Sequence, residues 1–240
     1  MRGVILAGGM GTRLLPATLI TNKHLLPVYK KLMIEYPLQT LLDLGIKDII
    51  IVSGGNNIGD FANVLGSGKK YNARFTYVVQ DEPLGIAHAV SLTFDFLNNE
   101  PFIVILGDNY FEDNISTVID SKQLNSGATI FLKEVPDPQR FGCPGFIDGK
   151  ISLIEEKPKE PKSNYAVTGL YLYDNTFMDK FKMLKPSWRG EYELTDINNL
   201  YLQEGKLNHT ILKGLWSDMG LHETLLRVAN FVKDKESNPQ

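Results

Sequence analysis

Gly8-Gly9-Met10-Gly11-Thr12-Arg13-Leu14 follows directly on the apolar run 3–7. Glycines let backbone N–H groups approach and wrap a phosphate, and Arg13 adds a planar cation suited to phosphate oxygens. The segment is not a Walker A loop, because no Gly-Lys-Ser/Thr follows. Nor is it a dinucleotide fingerprint, because Leu14 stands where the third glycine belongs. Taken alone, such a loop fits a plain turn with a solvated arginine. Lys23, ahead of His24-Leu25-Leu26-Pro27, could place a second cation on the same phosphates. A single lysine is usually a surface residue, and His24 reads as a structural histidine. Leu106-Gly107-Asp108-Asn109 closes the apolar run 101–106. Ligands of open α/β sheets bind at the carboxyl ends of strands, so an aspartate there can hold Mg²⁺ against phosphates. An Asp-Asn turn is the plain alternative. Trp216-Ser217-Asp218-Met219-Gly220 supplies a distant second carboxylate, which also fits an acidic residue ahead of a helix. Two aspartates converging on one Mg²⁺ would suit a nucleoside triphosphate. Glu155-Glu156-Lys157-Pro158, the run 165–171 (YAVTGLY) and Arg189 form a last group. Carboxylates and amides suit sugar hydroxyls, and Lys157 and Arg189 suit a sugar phosphate; each alone also fits a surface.

These residues need a scaffold that gathers strand ends. Apolar runs at 3–7, 48–53 and 101–106 read as buried strands, and 74–79 alternates like a strand. Spaced apolar residues predict helices over 32–44, 57–65 and 85–97, with Pro37 kinking or delaying the first. This β-α-β-α-β alternation implies a parallel sheet covered by helices. The second half is more mixed. Strands are expected at 128–134 and 165–173, helices at 194–204 and 222–233, and a hairpin over 146–155 around Asp148-Gly149-Lys150. Residues 157–162 (KPKEPK) read as a surface loop, and the polar tail from Asp234 as frayed. No linker divides the chain, so 1–240 reads as one α/β domain with an elaborated second half.

The bulk properties narrow the class. The 240 residues allow a substantial core. A formal charge of −3 gives no sign of a nucleic-acid-binding surface. The lone Cys143 cannot form an internal disulfide, which fits a reducing compartment. No signal peptide or apolar segment long enough to span a bilayer is present in the sequence, so a cytoplasmic location without membrane partners is expected.

In order, GVILAGGMGTRLLPAT, NKHLLPVY, IVILGDN, EEKPKEPKSNYAVTGLY, RGEYELTDINNLY and WSDMG resemble one family over nearly the whole chain, from Gly3 to about Val232. It is the glucose-1-phosphate thymidylyltransferases, or dTDP-glucose pyrophosphorylases. The resemblance implies a three-layer, Rossmann-like nucleotidyltransferase fold with a mixed, mostly parallel central sheet. Its nucleotide-binding part would span about 1–110 and its sugar-binding part about 111–240. It implies transfer of a thymidylyl group from dTTP to glucose 1-phosphate, giving dTDP-glucose and pyrophosphate. It implies Mg²⁺, a homo-oligomer, and nucleotide-sugar biosynthesis such as the dTDP-rhamnose pathway. By position, Gly8, Gly11, Thr12 and Arg13 would cradle the triphosphate and Lys23 would bind phosphate. Gln80 would read the base and Gly85 would support it. Asp108 and Asp218 would ligate Mg²⁺. Asn109, Gly142, Glu156, Val167 and Tyr171 would line the sugar pocket, and Lys157 and Arg189 would grip the sugar phosphate. Arg13, Lys23 and Asp108 would be catalytic. The sugar phosphate is already anionic near neutral pH, so its attack needs no general base.

The chain departs from the family pattern at Cys143-Pro144-Gly145, at Met219 and at Leu84. The first two bear on sugar identity and the third on the base site. The longer family members carry about fifty further residues, a modest helical extension, that build an allosteric site. Weak feedback inhibition by dTDP-rhamnose is the corresponding expectation. Two rivals stay open: the same chemistry with UTP or another sugar 1-phosphate, and a non-catalytic nucleotide-sugar sensor. An NAD-dependent oxidoreductase is disfavoured by the absent third glycine.

Overall fold

The computed structural model describes residues 1–119 and 127–238. In chain order the elements are β1 (Arg2–Leu6), β2 (Pro27–Val28), β3 (Lys31–Leu32), α1 (Glu35–Asp43), β4 (Asp48–Gly54), α2 (Ile58–Leu65), β5 (Arg74–Gln80), α3 (Ile86–Ser91), β6 (Phe102–Leu106), β7 (Asn109–Phe111) and α4 (Ile115–Val118). They continue with β8 (Ala128–Glu134), β9 (Gly142–Ile147), β10 (Lys150–Glu156), β11 (Tyr165–Tyr173), α5 (Phe177–Phe181), α6 (Leu194–Gln203), β12 (Leu207–Ile211), β13 (Trp216–Asp218) and α7 (His222–Ser237).

Among the described residues a seven-stranded sheet runs in the order β12-β8-β11-β6-β1-β4-β5. β11 is antiparallel to both neighbours, and the other adjacent pairs are parallel. The sheet is therefore mixed and mostly parallel, as expected. Side chains alternate across a strand, and β1 shows the consequence. Val4 and Leu6 pack with Ala87, Val90, Phe177 and Ile197 of α3, α5 and α6. Ile5 and Ala7 pack with Leu38, Leu41, Phe61 and Leu65 of α1 and α2. Helices thus cover both faces, which makes the three layers. A third apolar cluster lies under α7, where Val228 and Val232 meet Leu14, Leu26, Met33, Tyr110 and Met219. It fastens the glycine-rich loop and the segment after Asp218 to the same body.

Several boundaries differ from expectation for local reasons. The helix over 32–44 begins only at Glu35, and Leu32 belongs to a short strand. Pro37 falls in the first turn, where a backbone N–H has no intrahelical partner. The helix over 85–97 ends at Ser91 and gives way to a 3₁₀ turn at Phe94–Phe96. Ser91 Oγ donates to the His88 carbonyl (2.8 Å) and Thr93 Oγ1 to that of Val90 (2.7 Å). Such hydroxyls compete with the helical pattern. The tail is helical through Ser237 rather than frayed from Asp234, because Lys235 reaches Glu112 (3.5 Å) and Glu236 reaches Lys30 (2.9 Å). Residues 239–240 lie outside the described residues.

The expected hairpin forms, with Asp148 (φ 49°) and Gly149 (φ 75°) both left-handed, as a two-residue type I′ connection requires. Its first strand starts earlier than expected, at Gly142, which pairs with Glu156. The short β7 and β13 were not expected, yet they matter most: their pairing sets Asp218 opposite Asn109.

Candidate active site

The carboxyl ends of β1, β4, β5 and β6 open onto a cavity of about 260 Å³ that includes Gly8, Gly9, Lys23, Gln80, Gly85 and Asp108 in its walls. A second cavity of about 220 Å³ contains Asp108, Asn109, Gly142, Glu156, Arg189 and Asp218, with Lys157, Val167 and Tyr171 beside them. The two share Ile86, Leu106, Asp108 and Glu191, so they meet at the end of β6.

In the first cavity, Gln80 Nε2 donates to the Gly85 carbonyl (3.2 Å) and lies 3.2 Å from His88 Nδ1. A side chain on Gly8 would start 3.4 Å from Gln80 Oε1. Gly11 and Thr12 line neither cavity. They shape the loop: Gly11 is left-handed (φ 63°) and its carbonyl accepts from Thr18 Oγ1 (2.9 Å), while Thr12 opens the turn that buries Leu14. Arg13, the next residue and exposed, lines the second cavity.

Lys23 Nζ lies 2.5 Å from Asp108 Oδ2, and both side chains are largely buried. Burial pushes the Asp108 carboxyl up. The Lys23 charge, with hydrogen bonds from Lys23 and Asn109, outweighs it and holds the group well below the usual carboxylate range. Asn109 is buried and its side chain makes three hydrogen bonds. Its Nδ2 donates to Asp108 Oδ1 (2.9 Å), and its Oδ1 accepts from Gly169 N–H (3.0 Å) and Trp216 Nε1 (2.8 Å). The Gly169 contact falls where the β11–β8 register shifts, between Val167 and Tyr171. Asn109 therefore braces Asp108, β11 and β13 together in the cavity wall.

Asp218 joins from β13, and Met219 N–H donates to the Asp108 carbonyl (2.7 Å). Burial pushes the Asp218 carboxyl up, the Asp108 charge adds to that, and Arg140, Arg13 and Lys23 pull the other way. Gly220 marks where these groups converge. A Cβ there would sit 3.1 Å from Asp218 Oδ2, 3.2 Å from Arg13 Nη2 and 3.8 Å from Asp108 Oδ2. Two carboxylates facing one small space suit Mg²⁺, which is commonly held by one or two carboxylates plus substrate phosphates. No cluster of three or more His, Cys, Asp or Glu side chains of metal-binding form occurs among the described residues.

His24 is buried beside Lys23 and Asp108, with Nδ1 2.8 Å from Asn22 Oδ1. Burial, with the Lys23 charge beside it, pushes the imidazole down from 6.5 to about 3, against partial opposition from Asp108. The unfolded chain takes up this proton near 6.5 and the folded one only near 3. Between those values the unfolded state binds more protons, so His24's contribution is intact above 6.5 and is lost as pH falls toward 3. The urea midpoint should decline on acidification through that window. His24→Gln should flatten the decline by up to one proton, ~1.4 kcal/mol per pH unit. An unchanged slope would contradict burial of a neutral imidazole.

In the second cavity Thr195 Oγ1 donates to Glu156 Oε2 (2.6 Å) beside Gly142, whose hypothetical Cβ would lie 3.2 Å from the same hydroxyl. Lys157 takes a left-handed backbone (φ 46°) and lies 3.7 Å from Glu156 Oε1. Arg189 is gathered by Glu191 (2.9 Å), Glu193 (3.2 Å) and Glu156 (3.9 Å). Burial pushes the Glu193 carboxyl up, and the nearby Glu156 charge adds to it. Sequence reading did not single out Glu191, Glu193, Thr195 or Arg140. The first three lie within the RGEYELTD segment, whose dense polar pattern could have flagged them. Arg140, in an ordinary-looking PQRFG stretch, had no such signal.

The three departures lie outside both cavity linings. Cys143 is buried with Sγ 3.4 Å from the Ser163 carbonyl, and Met219 is in the cluster under α7. Neither they nor Leu84, Pro144 or Gly145 line either cavity.

A doubly covered mixed sheet carries paired cavities that meet at Asp108, with Asp218 beside it in the second. Residues 2–235 match the family described as nucleotidyl transferase, and the chain belongs to that family. Its relatives include a glucose-1-phosphate thymidylyltransferase from Neisseria meningitidis, 43% identical over 97% of this chain and 83% of that one. Another, from Mycolicibacterium smegmatis, is 42% identical over 98% and 83%. A Bacillus anthracis crystal structure described as a glucose-1-phosphate thymidylyltransferase, in complex with a sucrose, superposes with TM-score 0.92. It is 48% identical, over 98% of this chain and 96% of that one. A UDP-glucose pyrophosphorylase complexed with UDP-glucose follows at TM-score 0.84 and 25% identity, over 98% of each chain.

Proposed function

We propose that this chain transfers a thymidylyl group from dTTP to glucose 1-phosphate, releasing pyrophosphate and dTDP-glucose. The observation that carries the reading is the meeting of two cavities at Asp108, with Asp218, Arg13 and Lys23 around the junction. The nucleotide base and ribose occupy the cavity of Gly8, Gln80 and Gly85. The sugar occupies that of Asn109, Gly142, Glu156, Val167 and Tyr171, with its phosphate toward Lys157 and Arg189. Gly11 and Thr12 hold the loop that presents Arg13. The division near residue 110 is crossed both ways, since Arg13 lines the sugar side and Glu191 the nucleotide side.

The chemistry follows from charge. The α-phosphorus must sit where the cavities join, so that a phosphate oxygen of the sugar attacks as pyrophosphate leaves from the opposite side. The nucleophile is already ionised, so no side chain need take a proton from it. Arg13 and Lys23 neutralise charge on the phosphates. Mg²⁺, held by Asp108 and Asp218, would add further neutralisation of the phosphate oxygens. The enzyme acts on small molecules, with no nucleic acid. We also place it in the cytoplasm as a homo-oligomer, on the family resemblance. Among the described residues no helix is long and apolar enough to cross a membrane.

A second reading keeps the chemistry with UTP or another sugar 1-phosphate, and the likeness to a UDP-glucose pyrophosphorylase favours it. A glutamine amide reads the shared edge of thymine and uracil alike. A pure sensor would not need Arg13, Lys23, Asp108 and Asp218 together. Pyrophosphate release with Mg²⁺ should be measured for dTTP, UTP, CTP, ATP and GTP against several sugar 1-phosphates. The expected maximum is dTTP with glucose 1-phosphate. A maximum at another pair keeps the class and changes the substrates, and no release from any pair returns the sensor.

A further inference from the structure

Arg140 lies in the turn before β9 and lines the second cavity. Its Nη2 donates to both oxygens of Asp218, at 3.0 Å and 3.3 Å, and its Nη1 donates to Asp137 Oδ2 at 2.8 Å. The guanidinium sits 5.0 Å from the centre of the Phe141 ring, which meets Trp216 edge-on at 5.1 Å. Trp216 donates to Asn109, and Asn109 donates to Asp108. One continuous set of contacts thus joins Arg140 to both aspartates.

A single nitrogen bridging both carboxylate oxygens has two physical effects. It limits rotation of the carboxylate, so that Oδ2 stays aimed at the space beside Gly220. It also brings a full positive charge against Asp218, as Lys23 does against Asp108. A divalent cation entering that space meets an attractive carboxylate and a repulsive guanidinium together. The pair of aspartates is charge-balanced by the protein itself, and the extra negative charge that favours a cation must come from bound phosphates.

We infer that Arg140 is the resident counter-ion of Asp218, a positioning residue that aims its carboxylate toward Asp108 and holds down the pair's affinity for a free divalent cation. This rests on the reading of Asp108 and Asp218 as the cation-binding pair. Arginine suits the task because its planar, permanently charged fork can serve Asp137 and Asp218 at once.

The test is titration of the nucleotide-free protein with Mn²⁺ alone, read by the loss of the free-ion electron paramagnetic resonance signal. Arg140→Met should bind Mn²⁺ at least about tenfold more tightly than the parent, since a unit charge a few ångströms away has been removed. Arg140→Gln, which keeps a donor to Asp218 without the charge, should also tighten binding, and it serves if the methionine variant melts too low to titrate. Arg140→Lys should stay within about threefold of the parent because the charge is kept. Adding Asp218→Asn should erase the gain. Unchanged or weaker binding in the methionine and glutamine variants overturns the inference, as does a lysine variant that tightens as they do. A gain that survives Asp218→Asn overturns it by showing that the cation sits elsewhere, which is a failure of the metal assignment. The transferase reading is judged separately, by pyrophosphate release from the parent protein.

Discussion

Asp108→Asn should lower turnover by on the order of 10³-fold while the protein keeps its fold. Asp108 borders both cavities and carries a carboxylate held well below its usual range by the buried Lys23 ammonium. Asparagine has nearly the same shape and can still accept from Lys23, so the contact at 2.5 Å becomes a hydrogen bond without its ionic part. What disappears is one of two negative charges able to hold a divalent cation beside the phosphates. Lys23 is left as a buried cation without an ionic partner, which should destabilise the fold by about 3–5 kcal/mol. For a protein of this size that is a melting-temperature loss on the order of 10 °C, not unfolding at room temperature. Circular dichroism and pyrophosphate release on one preparation separate the two effects. Near-parental turnover at saturating Mg²⁺ would remove Asp108 from the chemistry. A loss of activity that merely tracks a loss of folded protein would reduce it to a structural residue.

Gly85→Ala should act on both stability and the nucleotide. Gly85 has φ 101° and ψ 175°, a conformation essentially confined to glycine. A Cβ there would lie 2.7 Å from the Tyr192 carbonyl oxygen and 2.8 Å from its nitrogen. That backbone has no room to retreat. Tyr192 N–H donates to Leu84 O (2.8 Å), and Ala87 N–H donates to Tyr192 O (3.0 Å), so hydrogen bonds on both sides of Gly85 would have to break. Strain and lost bonds together should destabilise by about 3 kcal/mol or more. The Gly85 carbonyl also accepts from Gln80, so the same shift should disturb the side chain proposed to read the base. The expected kinetic signature is a rise in KM for dTTP that exceeds any rise for glucose 1-phosphate. Urea unfolding and the two KM values check it. A variant as stable as the parent would show that the 84–87 turn and the 191–192 segment are more loosely joined than the distances indicate. Equal rises in both KM values would argue against a nucleotide-specific role for this cavity.

Much of the architecture could be read from local pattern. The runs 3–7, 48–53 and 101–106 announce buried strands because a parallel strand covered on both faces has no polar side to display. Asp148-Gly149 announces its hairpin because the connection demands two left-handed residues. The glycines before Arg13 and the Asp108 at a strand end admit a phosphate reading for an equally local reason, since residue type and strand-to-loop position are both visible in a few consecutive letters, but each alone also fits a plain turn, and only the six segments in order carry the resemblance. The boundaries that failed were set by competition that periodicity does not register. Ser91 and Thr93 turn their hydroxyls onto helix carbonyls, and the tail gains order from Glu112 and Lys30, which lie far from it in sequence.

The assembled site belongs to a different level. The departures at Cys143, Met219 and Leu84 looked like alterations of the pocket because they stand beside pocket residues in sequence. Side chains alternate across a strand, which turns Cys143 of β9 into packing, and Met219, just past the end of β13, enters the cluster under α7. Asp218 reaches Asp108 only because two three-residue strands pair, segments too short to carry a pattern of their own. Arg140 and Asp218 are 78 positions apart, and nothing near either one names the other. A hydrogen bond between side chains depends on where β7, β9 and β13 are packed. Only the folded chain decides that this arginine meets that aspartate.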